Sequence, residues 1–102
     1  MEGELEISKS GATSTRLEER FDLIPFAALS ALARRFWYGS TRHTPRNWEK
    51  GDAEFAEIRL NHCCRHMALF AEYRRQEDLD AVLCNAAMLA KFKERGFLEE
   101  RG

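Results

Sequence analysis

An arginine-rich stretch without any acidic side chain runs through residues 34–47 of this 102-residue chain. Its cations are Arg34, Arg35, Arg42, His43 and Arg46. Aromatic residues lie among and directly after them, namely Phe36, Trp37, Tyr38 and Trp48. Guanidinium groups bind phosphate oxygens through paired hydrogen bonds, and aromatic rings stack on nucleobases. Two interpretations are open: a site for an anionic ligand that carries a base, or an apolar helix end with a solvated rim of arginines.

A second group of chemically competent side chains consists of carboxylates. Glu54 and Glu57 are spaced to share one side of a helix, and Glu77, Asp78 and Asp80 follow later in the chain. Hard divalent cations such as Mg²⁺ and Mn²⁺ prefer oxygen ligands, which two antiparallel helices can supply together. The pattern is also typical of a solvated face whose acidic residues stabilise a helix N-terminus.

Two histidines and one asparagine complete the candidates. His62 and His66 have a spacing that can chelate a metal ion, although buried or interface histidines also show it. Asn85 stands alone in an apolar segment, so its amide must find hydrogen-bond partners. It can form a structural bridge, for which Asp78 lies on nearly the same face, or contact a base or sugar.

The spacing of apolar residues predicts three helices that would position these groups. The first begins at Pro25 and ends at Gly39, and an ordered loop extends from Gly39 to Gly51. Its inward residues are Phe26, Leu29, Leu32, Ala33 and Phe36.

Asp52 is the predicted N-cap of a second helix over about residues 53–75. The core stripe of that helix is predicted to consist of Ala56, Leu60, Cys63, Met67 and Phe70. A break at Gln76–Asp80 precedes a third helix, which ends near Arg95 and Gly96. That helix is apolar on most sides and should be central.

The predicted fold is all-α, a small bundle of about three main helices that is completed by self-association. Residues 1–20 are polar and are predicted to form a flexible arm, whereas residues 21–102 form one helical domain. No stretch of alternating polar and apolar residues is evident.

The overall composition narrows the class of protein. The net charge is −1, from 17 acidic and 16 basic residues, and no apolar run is long enough for a membrane span or secretory signal. The chain is therefore expected to be cytoplasmic, without a membrane partner, and duplex nucleic acid is an improbable ligand. Cys63, Cys64 and Cys84 do not form a disulfide pattern and are interpreted as small buried side chains.

An ordered series of short motifs resembles the phage-encoded dATP/dGTP diphosphohydrolase N-terminal domain family. The series covers most of residues 20–92. It consists of RFDLIP at 20–25, Leu29, Leu32-Ala33, Tyr38-Gly39, RNWEKG at 46–51, Arg65-His66 and EDLD at 77–80. This family is similar to the MazG-type all-α pyrophosphohydrolases, which hold Mg²⁺ with acidic pairs and cleave a nucleoside triphosphate to monophosphate and pyrophosphate.

The resemblance implies a metal-dependent dNTP pyrophosphohydrolase. Mg²⁺ or Mn²⁺ would be held by Glu57, Glu77 and Asp80, with Glu54 and Asp78 as further ligands, and would activate a water. The predicted substrate contacts are Arg42, Arg46 and Lys50 to phosphates, Trp48 or Trp37 to the base, Asn47 or Asn85 to a base edge, and His66.

The chain departs from the family pattern after Asp80. Family members usually continue with a glycine-containing loop and one or two histidines, whereas here Asp80 runs directly into Ala81. Two alternatives follow. The chain is a shortened enzyme that acts on a nucleoside triphosphate, or it is a non-enzymatic scaffold that binds a nucleotide or a host protein.

Overall fold

The computed structural model describes the backbone of residues 2–102, and side chains from residue 4 onward. An antiparallel hairpin of β1 (Glu2–Ile7) and β2 (Thr13–Leu17) precedes three helices. The helices are α1 (Phe26–Arg42), α2 (Ala53–Tyr73) and α3 (Gln76–Glu94), with short 3₁₀ turns at Phe21–Leu23 and Asn47–Lys50. The mostly helical prediction is confirmed. None of the helices in the described chain has an apolar stretch long enough to span a bilayer.

The hairpin lies within the segment predicted to be a flexible arm, and the expectation that no strand forms is wrong there. Leu5 and Ile7 alternate with acidic residues, and Gly11 turns the chain with a φ of 88° that suits glycine. Every side chain described in the two strands is exposed, so backbone pairing supports the hairpin rather than burial. Met1 lies outside the described residues. The flexibility of the arm and the division into arm and domain remain predictions.

Helix α3 forms the centre of the bundle, as its apolar sequence predicts, and both α1 and α2 pack against it. Phe92 is 0% exposed, and the rings of Trp48, Phe55 and Phe97 surround it at centroid distances of 5.8–6.1 Å. Such tilted and edge-on arrangements are favourable for aromatic pairs. The buried face of α3 therefore determines the positions of α1 and α2.

Helix α1 continues past Gly39 to Arg42, so the stop predicted at Gly39 is wrong and the loop begins later, at His43. The hydroxyl groups of Ser40 and Thr41 donate to carbonyl oxygens of the preceding turn, each at 2.7 Å, within the continuing helix. The helix ends shortly before Pro45, because a proline disfavours helical backbone in the residue before it.

The start of α2 is as predicted. The Asp52 Oδ1 atom accepts a hydrogen bond from the Phe55 amide at 2.9 Å, which is the N-cap geometry. A Cβ atom at Gly51 would collide with the Phe55 ring, so this position requires glycine.

The break between α2 and α3 is shorter than predicted. It consists of Arg74, with a φ of 57°, and Arg75, which is extended. The segment Gln76–Asp80, predicted as the break, forms the first turn of α3 instead. Acidic residues near a helix N-terminus interact favourably with its dipole, which explains why this segment is helical.

The buried face of α2 differs from the predicted stripe. Ala56 is buried, and Cys63 and Phe70 are half-buried, but Leu60 and Met67 are 41% and 49% exposed. The inward face of α2 instead includes the half-buried residues Arg59 and His66. On α1, three of the predicted inward residues are also exposed: Phe26, at 80%, Leu29 and Ala33.

The dimensions of the chain exceed those of a compact monomer. Its radius of gyration is 17.6 Å, whereas about 13 Å is expected for this length. Its accessible surface is 8120 Å², against roughly 5,900 Å² for a compact protein of this mass. Self-association stays a prediction, and the exposed apolar residues of α1 and α2 are the surface that it would cover.

Replacing Phe92 with alanine should destabilise the bundle by about 3–5 kcal/mol, because it removes the ring around which three other rings pack. The control variant Phe26→Ala removes the same ring from an exposed position and should change the free energy of unfolding by less than about 0.5 kcal/mol. Urea unfolding followed by circular dichroism measures both. Similar losses for the two variants would contradict the assignment of the core.

Candidate functional site

A cavity of about 740 Å³ lies among the C-terminal half of α1, the loop that follows it, α2 and α3. Its polar and charged lining includes Arg35, Arg42, Arg46, Arg59, His43, His62, His66, Asn47 and Asn85. Its apolar lining includes Phe36, Trp37, Tyr38, Trp48, Phe55 and Met88. Among the described residues that line it, none is an aspartate or a glutamate. We call this feature the cationic cavity.

Helix α1 positions two of the arginines around one aromatic ring. The Arg35 and Arg42 guanidinium carbons lie 4.8 Å and 5.2 Å from the centre of the Tyr38 ring, and Arg42 also donates to the Tyr38 hydroxyl at 2.8 Å. These contacts orient the cations but do not neutralise them. Within the part of the chain that the structure describes, Arg35, Arg42 and Arg46 form no ion pair. Their charge is available to an anion.

Helix α2 contributes Arg59, which is half-buried. Burial lowers the pKa of its guanidinium, and the positive charge of Arg35 lowers it further. The Phe55 ring lies 5.2 Å away, but the Arg59 Nε atom has no hydrogen-bond partner. A half-buried cation that is close to a second cation would be stabilised by an anionic or hydrogen-bond-accepting ligand.

Helix α3 contributes Asn85, which is 3% exposed. Its Nδ2 atom donates to the Ala81 carbonyl oxygen at 2.8 Å, one turn earlier, and its Oδ1 atom is buried without a partner. The bridge to Asp78 that the sequence suggested does not form, since the Asp78 carboxylate is held by other groups. Asn85 therefore brings an unsatisfied acceptor to the cavity.

His66 is held in the cavity wall by Asp78. The His66 Nδ1 atom lies 3.0 Å from Asp78 Oδ1, and Arg75 donates to the other carboxylate oxygen at 2.9 Å. These bonds hold the pKa of Asp78 below its usual range, first through His66 and then through Arg75. His62 lies nearby, and its pKa is lowered by desolvation and by the charge of Arg59.

The aromatic candidates differ in their availability. Trp48 is half-buried and packs against Phe36 and Phe92 with ring centroids 5.8 Å apart, so much of its surface is part of the core. Trp37 also lines the cavity and is 68% exposed. Of the two tryptophans that the sequence indicates for base stacking, Trp37 has the freer ring.

The structure brings together seven of the eight predicted substrate contacts: Trp37, Arg42, Arg46, Asn47, Trp48, His66 and Asn85 line the cavity. Lys50 does not line it. The preceding residue, Glu49, instead accepts a hydrogen bond on its carbonyl oxygen from Arg95, which joins the 3₁₀ turn to the end of α3.

The predicted metal ligands are placed differently. Glu54, Glu57 and Glu77 are exposed, and Asp80 is bound by Arg34 at 2.9 Å and 3.0 Å and by Gln76 at 2.7 Å. These hydrogen bonds, first that of Arg34, keep the pKa of Asp80 low. Within the described residues, no three histidine, cysteine or acidic side chains are grouped so that they could hold a metal ion. The predicted Mg²⁺ or Mn²⁺ site therefore does not fit the arrangement of one chain.

Arg59 is the functional candidate that the sequence reasoning missed. Its signal was present, because Arg59 lies between Ala56 and Cys63 on the inward side of α2, where a charged residue is out of place. The interpretation of all three cysteines as buried side chains is wrong for Cys64. Cys84 is buried and Cys63 half-buried, but Cys64 is exposed.

Comparison with known proteins identifies a family. The model of the family described as dATP/dGTP diphosphohydrolase, N-terminal, matches residues 8–101. No curated protein and no solved structure matches the chain.

The cysteines offer a chemical test of the cavity wall. Burial raises the pKa of Cys84 to about 11, although the nearby charges of Arg35 and Arg59 oppose the shift. At pH 8 its thiolate fraction is therefore on the order of one in a thousand, and only the thiolate is nucleophilic. Iodoacetamide should modify exposed Cys64 long before Cys84, as followed by peptide mass spectrometry. Equal rates would contradict the burial of Cys84.

Proposed function

The chain belongs to the dATP/dGTP diphosphohydrolase N-terminal family, and we propose on that premise that it binds a purine deoxynucleoside triphosphate in the cationic cavity. The observation that carries the proposal is the composition of the cavity wall. Four arginines and several aromatic rings line it, and no acidic side chain is found among the described lining residues. A ligand that is both anionic and aromatic is complementary to such a wall.

The phosphates are assigned to Arg35, Arg42 and Arg46. Arg42 and Arg46 are exposed at the end of α1 and in the following loop, where a charged triphosphate can remain partly hydrated. Arg46 has a left-handed backbone with a φ of 61°, which is uncommon outside glycine and occurs at the start of the 3₁₀ turn. Guanidinium groups that carry no carboxylate partner can form charge-assisted hydrogen bonds to phosphate.

The base is assigned to the apolar part of the cavity. Phe36, Phe55 and Met88 line this part, and the exposed ring of Trp37 offers a stacking surface. Stacking of a base on an aromatic side chain contributes about 1–3 kcal/mol and does not depend on the identity of the base. The choice of purine and of deoxyribose comes from the family description alone.

Nucleotide binding accounts for the cavity better than the alternative of a host-protein partner. The cavity volume of about 740 Å³ falls within the range of roughly 300–1,000 Å³ that is typical of small-molecule sites, and arginines line the cavity on α1, on α2 and in the loop between them. A protein partner and self-association remain proposals for the exposed apolar surface of α1 and α2, outside the cavity.

Substituting Arg42 and Arg46 together with glutamine should weaken the binding of dATP and dGTP at least about tenfold, because two charge-assisted contacts to phosphate are lost. Isothermal titration calorimetry measures the dissociation constants. Arg101→Gln, in the exposed C-terminal segment, makes the same type of substitution once, outside the cavity, and should leave them unchanged. No binding to the wild-type protein, or equal losses in both variants, would overturn the proposal.

Chelation of divalent cations should leave this affinity equal or higher. The proposed phosphate contacts are arginines, and a metal-free triphosphate presents more negative charge to them than its Mg²⁺ complex does. The test repeats the titration with EDTA in place of Mg²⁺. A loss of affinity greater than about tenfold would mean that a cation takes part in binding.

Metal-dependent hydrolysis, the activity expected from the sequence, stays a separate proposal because the acidic residues described here do not gather into a site. This proposal is tested by measuring whether the chain releases pyrophosphate from dATP or dGTP in the presence of Mg²⁺ or Mn²⁺. Release that is lost in Glu57→Gln, while nucleotide affinity is retained, would support hydrolysis. Absence of release would leave nucleotide binding as the function of the chain.

A further inference from the structure

Two buried side-chain atoms without a hydrogen-bond partner occur among the described residues, and both belong to the wall of the same cavity. They are Nε of Arg59, on α2, and Oδ1 of Asn85, on α3. Buried polar groups are almost always hydrogen-bonded, because an unsatisfied one costs the full free energy of its desolvation. Their common location in the cavity wall makes both atoms available to a molecule that enters the cavity.

The register of the two helices places these residues opposite each other. Helices α2 and α3 run antiparallel, with His66 against Asp78 at 3.0 Å and the Cys63 Sγ atom 3.7 Å from the Val82 carbonyl oxygen. The next step of about one turn along both helices brings Arg59 to the level of Asn85. The charge of Arg59 also acts on Cys84, the neighbour of Asn85.

The two atoms have opposite hydrogen-bonding roles. The Arg59 Nε–H group can only donate, and the Asn85 Oδ1 atom can only accept. The orientation of the Asn85 amide is fixed, because its Nδ2 atom is already bonded to the Ala81 carbonyl oxygen at 2.8 Å. A ligand that satisfies both must present an acceptor beside a donor. Phosphate oxygens cannot do so, whereas adenine presents a ring nitrogen next to its amino group.

We infer that Arg59 and Asn85 read the edge of the nucleobase, with Arg59 donating to a ring acceptor and Asn85 accepting from the neighbouring amino group. This inference rests on the proposed binding of a nucleotide and adds a specificity-determining pair to it. The base then lies deep between α2 and α3. The triphosphate extends toward Arg42 and Arg46 at the exposed end of the cavity.

Two ligands that differ in the amino group of the base test the role of Asn85 Oδ1 as an acceptor without a change to the protein. Purine 2′-deoxyriboside triphosphate lacks the amino group of dATP but keeps its ring, sugar and phosphates. It should bind the wild-type chain at least about tenfold more weakly than dATP in calorimetric titration, since Asn85 Oδ1 would again be buried without a partner.

Protein variants test whether Asn85 causes the difference in affinity between dATP and the analogue. Asn85→Leu replaces the amide by an apolar group of similar size in an apolar helix, and should bring the two dissociation constants to within about twofold of each other. Asn61→Leu makes the same change at an exposed position of α2 outside the cavity and should keep the discrimination. Arg59→Met should weaken dATP binding at least about tenfold.

The outcomes distinguish the reading of the base edge from the proposed nucleotide binding on which it rests. If wild-type protein binds dATP and the analogue equally well, nucleotide binding stands but base reading is wrong, and water satisfies the two groups. If 2′,3′-dideoxyATP rather than the base analogue loses affinity, the acceptor contacts the sugar, which also overturns base reading. If no nucleotide binds, both proposals fail.

Discussion

Two neighbouring aspartates at the start of α3 fasten it to the two other helices, and the arrangement of the site depends on them. Asp80 accepts a paired hydrogen bond from Arg34 of α1, and Asp78 accepts from His66 of α2. Both carboxylates are largely buried, with side-chain exposures of 10% and 5%. A buried carboxylate requires such partners, because its desolvation would otherwise outweigh any gain from packing. Breaking the Arg34 contact would leave the buried charge of Asp80 without a cationic partner, whereas Asp78 would keep Arg75.

This use of the acidic residues separates the charges of the chain. Asp80 is paired with Arg34 and Asp78 with Arg75 at one end of α3, whereas no acidic side chain lies among the described residues that line the cationic cavity. The net charge of −1 is therefore the sum of separate regions. The same aspartates that resemble metal ligands in the sequence hold the helices together beside the cationic cavity.

Local sequence signals predicted the elements well and the long-range contacts poorly. The apolar segment of α3 and the Asp52 N-cap follow from the residues themselves. The sequence predicts that α1 ends at Gly39, but the helix continues to Arg42. Ser40 and Thr41 bond to carbonyl oxygens of the preceding turn within this continuation. The partner of Asp80 is 46 positions away, and no spacing rule connects it to Arg34. The apolar core stripe predicted for α2 does not include Arg59, because it contains no charged residue.

We propose above all that the cationic cavity holds a nucleoside triphosphate through its arginines, without an acidic residue or a bound metal ion. This proposal is tested most directly by a ¹⁵N NMR titration of the protein with dATP in EDTA, in which the arginine Nε–H and tryptophan indole signals are followed. The account predicts saturable shifts of Arg35, Arg42, Arg59 and Trp37, with Arg16 in the hairpin and Arg101 unchanged. Shifts confined to residues outside the cavity, or none at saturating dATP, would contradict it.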